Sequence, residues 1–82
     1  MKTKNGEQDK NKNKDIKDNT ERAELYLEKG NKFYNICDYN KALEYYEKSF
    51  EIYKNVYADN PNQPYLAYIL TKIGNVYKDK GD

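Results

Sequence analysis

The chain has 82 residues, carries 15 Lys or Arg against 14 Asp or Glu for a net charge of +1, and contains no histidine or tryptophan. That length suits one small domain of modest stability, and the charge balance excludes a whole-chain field that would steer nucleic acid or an acidic substrate. With no histidine and Cys37 as the single cysteine, an intramolecular disulfide and a zinc cluster are both excluded, and the expected compartment is the reducing cytoplasm.

Residues 1–18, MKTKNGEQDKNKNKDIKD, hold Ile16 as their one internal apolar residue among Lys, Asn, Asp and Glu. Such a segment has too little apolar surface to offset its ordering entropy, so it reads as a disordered Lys/Asn-rich tail. It has lysines but no apolar h-region for a secretory signal. No run in the chain approaches the roughly 20 apolar residues that cross a bilayer, so no membrane partner is expected. The tail has six lysines, four acids and no aromatic residue to stack on bases, so nucleic acid is not an expected partner either.

The pattern changes at Asn19-Thr20, and residues 19–82 read as one helical domain. Thr20 is a capping residue before a first helix over 21–36, in which Ala23, Tyr26, Gly30, Phe33 and Cys37 recur at three- and four-residue steps as a buried stripe. A glycine inside a helix costs about 1 kcal/mol relative to alanine, and Gly30 therefore predicts a close approach by another helix. Asp38 caps a second helix over 39–57, making residues 36–38 a tight turn between antiparallel helices. Ala42, Leu43, Tyr46, Ser49, Phe50, Tyr53 and Tyr57 form its aromatic-rich inner face.

The Asn-Pro and Gln-Pro steps around Pro61 and Pro64 force a loop over 58–63. A third helix over 64–80 carries Leu66, Ile69, Leu70, Ile73, Val76 and Tyr77, with Gly81 placed to end it. The expected fold class is all-α: an antiparallel helical hairpin plus a third helix, behind the tail.

Set 44 positions apart, Gly30 aligns with Gly74, Asn31 with Asn75, Phe33 with Tyr77 and Asp38 with Asp82, a register that marks a repeat array. On these residues the chain resembles the tetratricopeptide repeat family. One copy supplies Tyr26, Gly30, Phe33, Ala42, Tyr46 and Ser49, and a second, partial copy supplies Leu70, Ile73, Gly74, Tyr77 and Gly81-Asp82. Lys29 departs from the family's leucine and Cys37 from its common turn glycine. The 44-residue period is similar to the extended repeats of kinesin light chains. About one and a half repeats are present, an α-solenoid fragment.

The resemblance implies a non-catalytic scaffold for protein–protein interaction, with no cofactor and no metal, that binds a peptide or another helical repeat. It implies a concave face lined by Glu24, Leu27, Asn31, Tyr34 and Asn35, then Tyr68, Thr71, Asn75, Lys78 and Asp79. Amides there suit a peptide backbone and tyrosines suit its side chains. The clamp by which some members hold chaperone carboxylates is not expected: Asn31 fits it, but Leu27 and Lys72 replace its lysine and asparagine. Two alternatives stand beside the scaffold. One is a fragment of a longer array, and the other is a homo-oligomer formed through the uncovered apolar face of helix 64–80, where Leu70, Ile73 and Tyr77 lie.

Overall fold

The computed structural model describes the backbone of residues 2–60 and 62–81, and the side chains of residues 17–60 and 62–81. Three helices follow one another: α1 over Lys2–Asn35, α2 over Tyr39–Val56 and α3 over Pro64–Lys80. Among the described residues there is no strand, and the architecture is the all-α hairpin plus third helix that the periodicity predicts. The expected tail falls, but for Lys17 and Asp18, on residues whose side chains lie outside those described. Asn19 and Thr20 sit inside α1 and do not cap it. What begins near Thr20 is packing, since Ala23 is the first described residue of the chain to be fully buried.

The hairpin turn is made by local chemistry. The Asp38 N–H donates to the Phe33 carbonyl at 2.9 Å and the Cys37 N–H to the Tyr34 carbonyl at 3.0 Å, the paired bonds of a Schellman motif closing α1. Cys37 takes the left-handed conformation in that motif, at φ 63°. The sequence reading placed Cys37 on the buried stripe of the first helix. It is instead exposed, because α1 has already ended at Asn35 and the left-handed residue turns its side chain out. Asp38 then starts α2 as expected, its carboxylate accepting from the Lys41 N–H at 3.4 Å. Pro64 opens α3 at its first position, where a missing N–H costs nothing. Gly81 closes α3 at φ 85°, donating back to the Lys78 carbonyl.

Gly30 explains how closely α1 and α2 pack. A Cβ on Gly30 would lie 2.5 and 2.6 Å from ring atoms of Tyr46, so the glycine leaves the space that this fully buried ring fills. Three residues further along α2, the Ser49 hydroxyl donates to the Ala23 carbonyl at 2.8 Å, which satisfies that fully buried hydroxyl.

Two apolar clusters lie along the seam. Ala23, Tyr53, Leu66 and Ile69 form one, and Ala42, Leu43, Tyr46 and Val76 form the other near the hairpin turn. Leu27 and Ile73 touch both clusters and join them. In the first the Tyr53 ring stacks on Tyr65 at 5.4 Å and on Tyr57 at 6.0 Å.

The two copies of the repeat register end up in different surroundings. Tyr26, Gly30 and Phe33 are covered by α2, whereas Leu70 remains 53% exposed and Tyr77 45%. Nothing lies within 4 Å of a Cβ placed on Gly74. Among the described residues of the second copy, only Ile73 is drawn into the core, as a half-buried residue. Of the face expected to be uncovered, Leu70 and Tyr77 are exposed, whereas Ile73 is packed against both core clusters.

Candidate functional site

The ten residues expected to line one face divide between α1 and α3, and the two halves have different fates. On α1, Leu27 is half-buried in the seam. Asn31 accepts a hydrogen bond from the Tyr46 hydroxyl at 2.5 Å, which holds its side-chain carbonyl toward the core. Tyr34 packs on the second cluster and donates its hydroxyl to the Asp79 carboxylate on α3. Glu24 and Asn35 are left exposed on this helix.

On α3 every one of the five, Tyr68, Thr71, Asn75, Lys78 and Asp79, is exposed. The Thr71 hydroxyl donates to the Ala67 carbonyl at 2.9 Å, and the Lys72 ammonium lies over the Tyr68 ring at 5.3 Å. The helix therefore presents a ring, a hydroxyl, an amide and two charges in one row, following the helical repeat.

A recess lies at each end of that row. At the start of α3, Gln63, Pro64, Tyr65 and Tyr68 line one of about 450 Å³. At the other end, Cys37, Asp38, Tyr39, Asn40, Asp79 and Lys80 line a more polar one of about 370 Å³. The second is tied by two bonds between distant parts of the chain, Tyr34 to Asp79 and the Lys80 ammonium to the Asn40 side-chain carbonyl at 3.1 Å.

Hydroxyl protons around these bonds are held tightly. The Asp79 carboxylate that accepts from Tyr34 raises that phenol above its ordinary value. Tyr39 is pushed up to about 12, first by the hydrogen bond to the Cys37 side chain and then by desolvation. At neutral pH all of them are neutral hydroxyls, able to orient a ligand but not to act as bases.

Sequence reasoning missed a third recess, of about 460 Å³, on the side of the hairpin away from this row, lined by Lys29, Lys32, Phe33, Ile36 and Tyr45. The Tyr45 ring stacks on Phe33 at 5.5 Å and lies 6.0 Å from Tyr26. Lys29 and Lys48 stand over the Tyr45 ring at 5.6 and 5.2 Å. The available signal was the Tyr45-Tyr46 pair, since adjacent residues on a helix face different ways and only Tyr46 could enter the core.

Among the described residues no group of His, Cys, Asp and Glu side chains is arranged to hold a metal ion, and no helix is long and apolar enough to cross a membrane. Compared with family models, curated proteins and solved structures, the chain matches none of them. Among the described residues the structure defines the class, an all-α three-helix protein.

Proposed function

We propose that the protein is a non-catalytic, tetratricopeptide-repeat-like interaction module that takes an extended peptide along α3. One observation carries the reading: the exposed row Tyr68, Thr71, Asn75, Lys78 and Asp79 runs between two recesses. The eleven residue-to-residue steps from Tyr68 to Asp79 span about 16 Å at 1.5 Å per helical residue, which is the length of about five residues of extended chain.

Each end of the row asks for different chemistry. The Tyr65 and Tyr68 rings, beside Pro64, offer an apolar seat for one ligand side chain. The Asn75 amide supplies both a donor and an acceptor for the peptide backbone. Lys78 and Asp79 supply one charge of each sign at the other end, so a ligand with a mixed-charge end fits better than a strongly acidic or basic one.

The 44-residue register and the Gly30–Tyr46 packing support the repeat reading, and a chain with no histidine suits a scaffold. The proposed compartment is the cytoplasm. The test is a screen of a random heptapeptide display library against the full chain, followed by affinity measurements on selected peptides. Selected peptides should carry an apolar side chain near one end, and Tyr68→Ala and Asn75→Ala should each weaken binding about tenfold, which corresponds to about 1.4 kcal/mol. Peptides that bind both variants as well as the parent would remove this row as the site.

A further inference from the structure

The stripe Ala67, Leu70, Gly74 and Tyr77 lies beside the peptide row on α3, and all four residues are exposed. Large and small side chains alternate along it. Ala67 and Gly74 stand seven residues apart, as do Leu70 and Tyr77, and a seven-residue spacing keeps each pair near one line on the helix surface.

The pattern is self-complementary. When two copies of α3 lie antiparallel about a two-fold axis that crosses the stripe at the level of residue 72, Leu70 falls opposite the partner's Gly74, and Tyr77 falls opposite the partner's Ala67. The same pairing then repeats from the partner's side, as a two-fold interface requires. Every large side chain meets a small one, so the helices can approach closely without two bulky groups colliding.

The hairpin shows that a glycine in this register does receive a large side chain from a facing antiparallel helix. Gly30, 44 residues before Gly74, is filled by the Tyr46 ring. The space over Gly74 is open, and Leu70 and Tyr77 are the exposed apolar groups beside it. Charge does not oppose the arrangement: Lys72, at the centre of the register, stands over the Tyr68 ring on another side of the helix.

We propose that the occupant of this stripe is a second copy of the chain, packed α3 against α3 in an antiparallel, two-fold dimer centred between Leu70 and Gly74. The proposal concerns a different strip of α3 from the peptide row and stands or falls separately from it.

Sedimentation equilibrium of the full chain from 1 to 200 µM tests it, with two variants. Gly74→Leu fills the space meant for the partner's Leu70, while nothing in its own fold lies within 4 Å of the added Cβ and helix propensity improves, so the monomer should remain folded by circular dichroism. The parent should dimerise over this range, and Gly74→Leu should raise the dissociation constant on the order of tenfold or more. In a Cys37→Ser background, equal amounts of Leu70→Cys and Gly74→Cys chains should give the mixed disulfide in preference to either homodimer.

A parent that stays monomeric at 200 µM overturns the proposal, as does a dimer indifferent to Gly74→Leu or one giving no excess of the mixed disulfide. So does a parent whose stripe is taken by a synthetic peptide of residues 38–57 in place of the second copy, because the occupant would then be an α2-type helix.

Discussion

Gly30 and Tyr46 share one volume: the missing side chain of the first is the space filled by the ring of the second, to within 2.5 Å of where a Cβ would stand. Tyr46 is fully buried and also donates its hydroxyl to Asn31, so its ring cannot swing away without breaking that bond.

Gly30→Ala should therefore destabilise the protein. Overpacking a filled core costs about 1–3 kcal/mol, and the helix propensity recovered is about 1 kcal/mol, leaving a net loss of up to about 2 kcal/mol. Gly74→Ala meets nothing and should stabilise the monomer by about 0.5–1 kcal/mol. Urea denaturation at low micromolar concentration reads both, and equal effects at the two glycines would contradict the packing described.

The two large buried tyrosines should respond oppositely to loss of the hydroxyl. Tyr46→Phe removes the bond to Asn31 and should cost about 1 kcal/mol. The Tyr53 hydroxyl is buried without a hydrogen-bond partner among the described residues. Tyr53→Phe should leave stability unchanged or raise it by about 1 kcal/mol, and a clear loss would mean that this hydroxyl is bonded in solution.

Cys37 holds a conformation that costs a side-chain-bearing residue about 1–2 kcal/mol. Cys37→Gly relieves that cost and gives back part of it through a freer unfolded chain, for a net gain of about 0.5–1 kcal/mol. Thermal melts under reducing conditions check this. A lower melting temperature would show that the thiol's contact with Tyr39 outweighs the backbone strain.

Alkaline pH should unfold the chain in a defined window. Burial, as the first cause, pushes Tyr46 and Tyr53 up to about 12 from an ordinary value of 10.0. The unfolded chain thus ionises first as pH rises, so the stability these groups contribute is fully present below pH 10 and is lost between about 10 and 12. Helical circular dichroism followed across that range should fall, and the fall should begin at higher pH in Tyr53→Phe. A helical signal flat to pH 12 would count against the burial of both rings.

The parts of the fold set by local chemistry were legible in the sequence. The Asp38 cap, the Pro64 start and the Gly81 end each follow from what one residue can or cannot do with its own backbone, and the three- and four-residue spacing located α2 and α3. The start of α1 was less legible, because residues 2–19 contain no proline to stop a helix and the Asn19-Thr20 signal marks where apolar packing begins. Cys37 was misplaced since helical spacing was continued past the end of its helix.

The candidate site was legible on α3 and less so on α1. Leu27 and Asn31 have the spacing of an outer face, but whether Asn31 is open depends on Tyr46 reaching it, and sequence spacing carries no information about that. The Tyr34–Asp79 bond joins residues 45 apart with no local mark. Tyr45 escaped notice because the aromatic neighbour beside it explained the core.

The bonds that fasten the last turn of α3 also set the order in which the chain comes together. Asn31 and Tyr46, within the hairpin, are 15 residues apart, whereas Asn40 with Lys80 and Tyr34 with Asp79 close spans of 40 and 45. Longer closures cost more chain entropy and are made later, so the last turn of α3 should dock after α1 and α2 have paired, whereas the start of α3, stacked through Tyr65 on Tyr53 only 12 residues away, can join early. Run backwards, the cheapest opening frees the last turn of α3 from Tyr34 and Asn40 while the hairpin stays whole. Amide hydrogens in the last turn of α3 should then exchange through a lower barrier than those of α2.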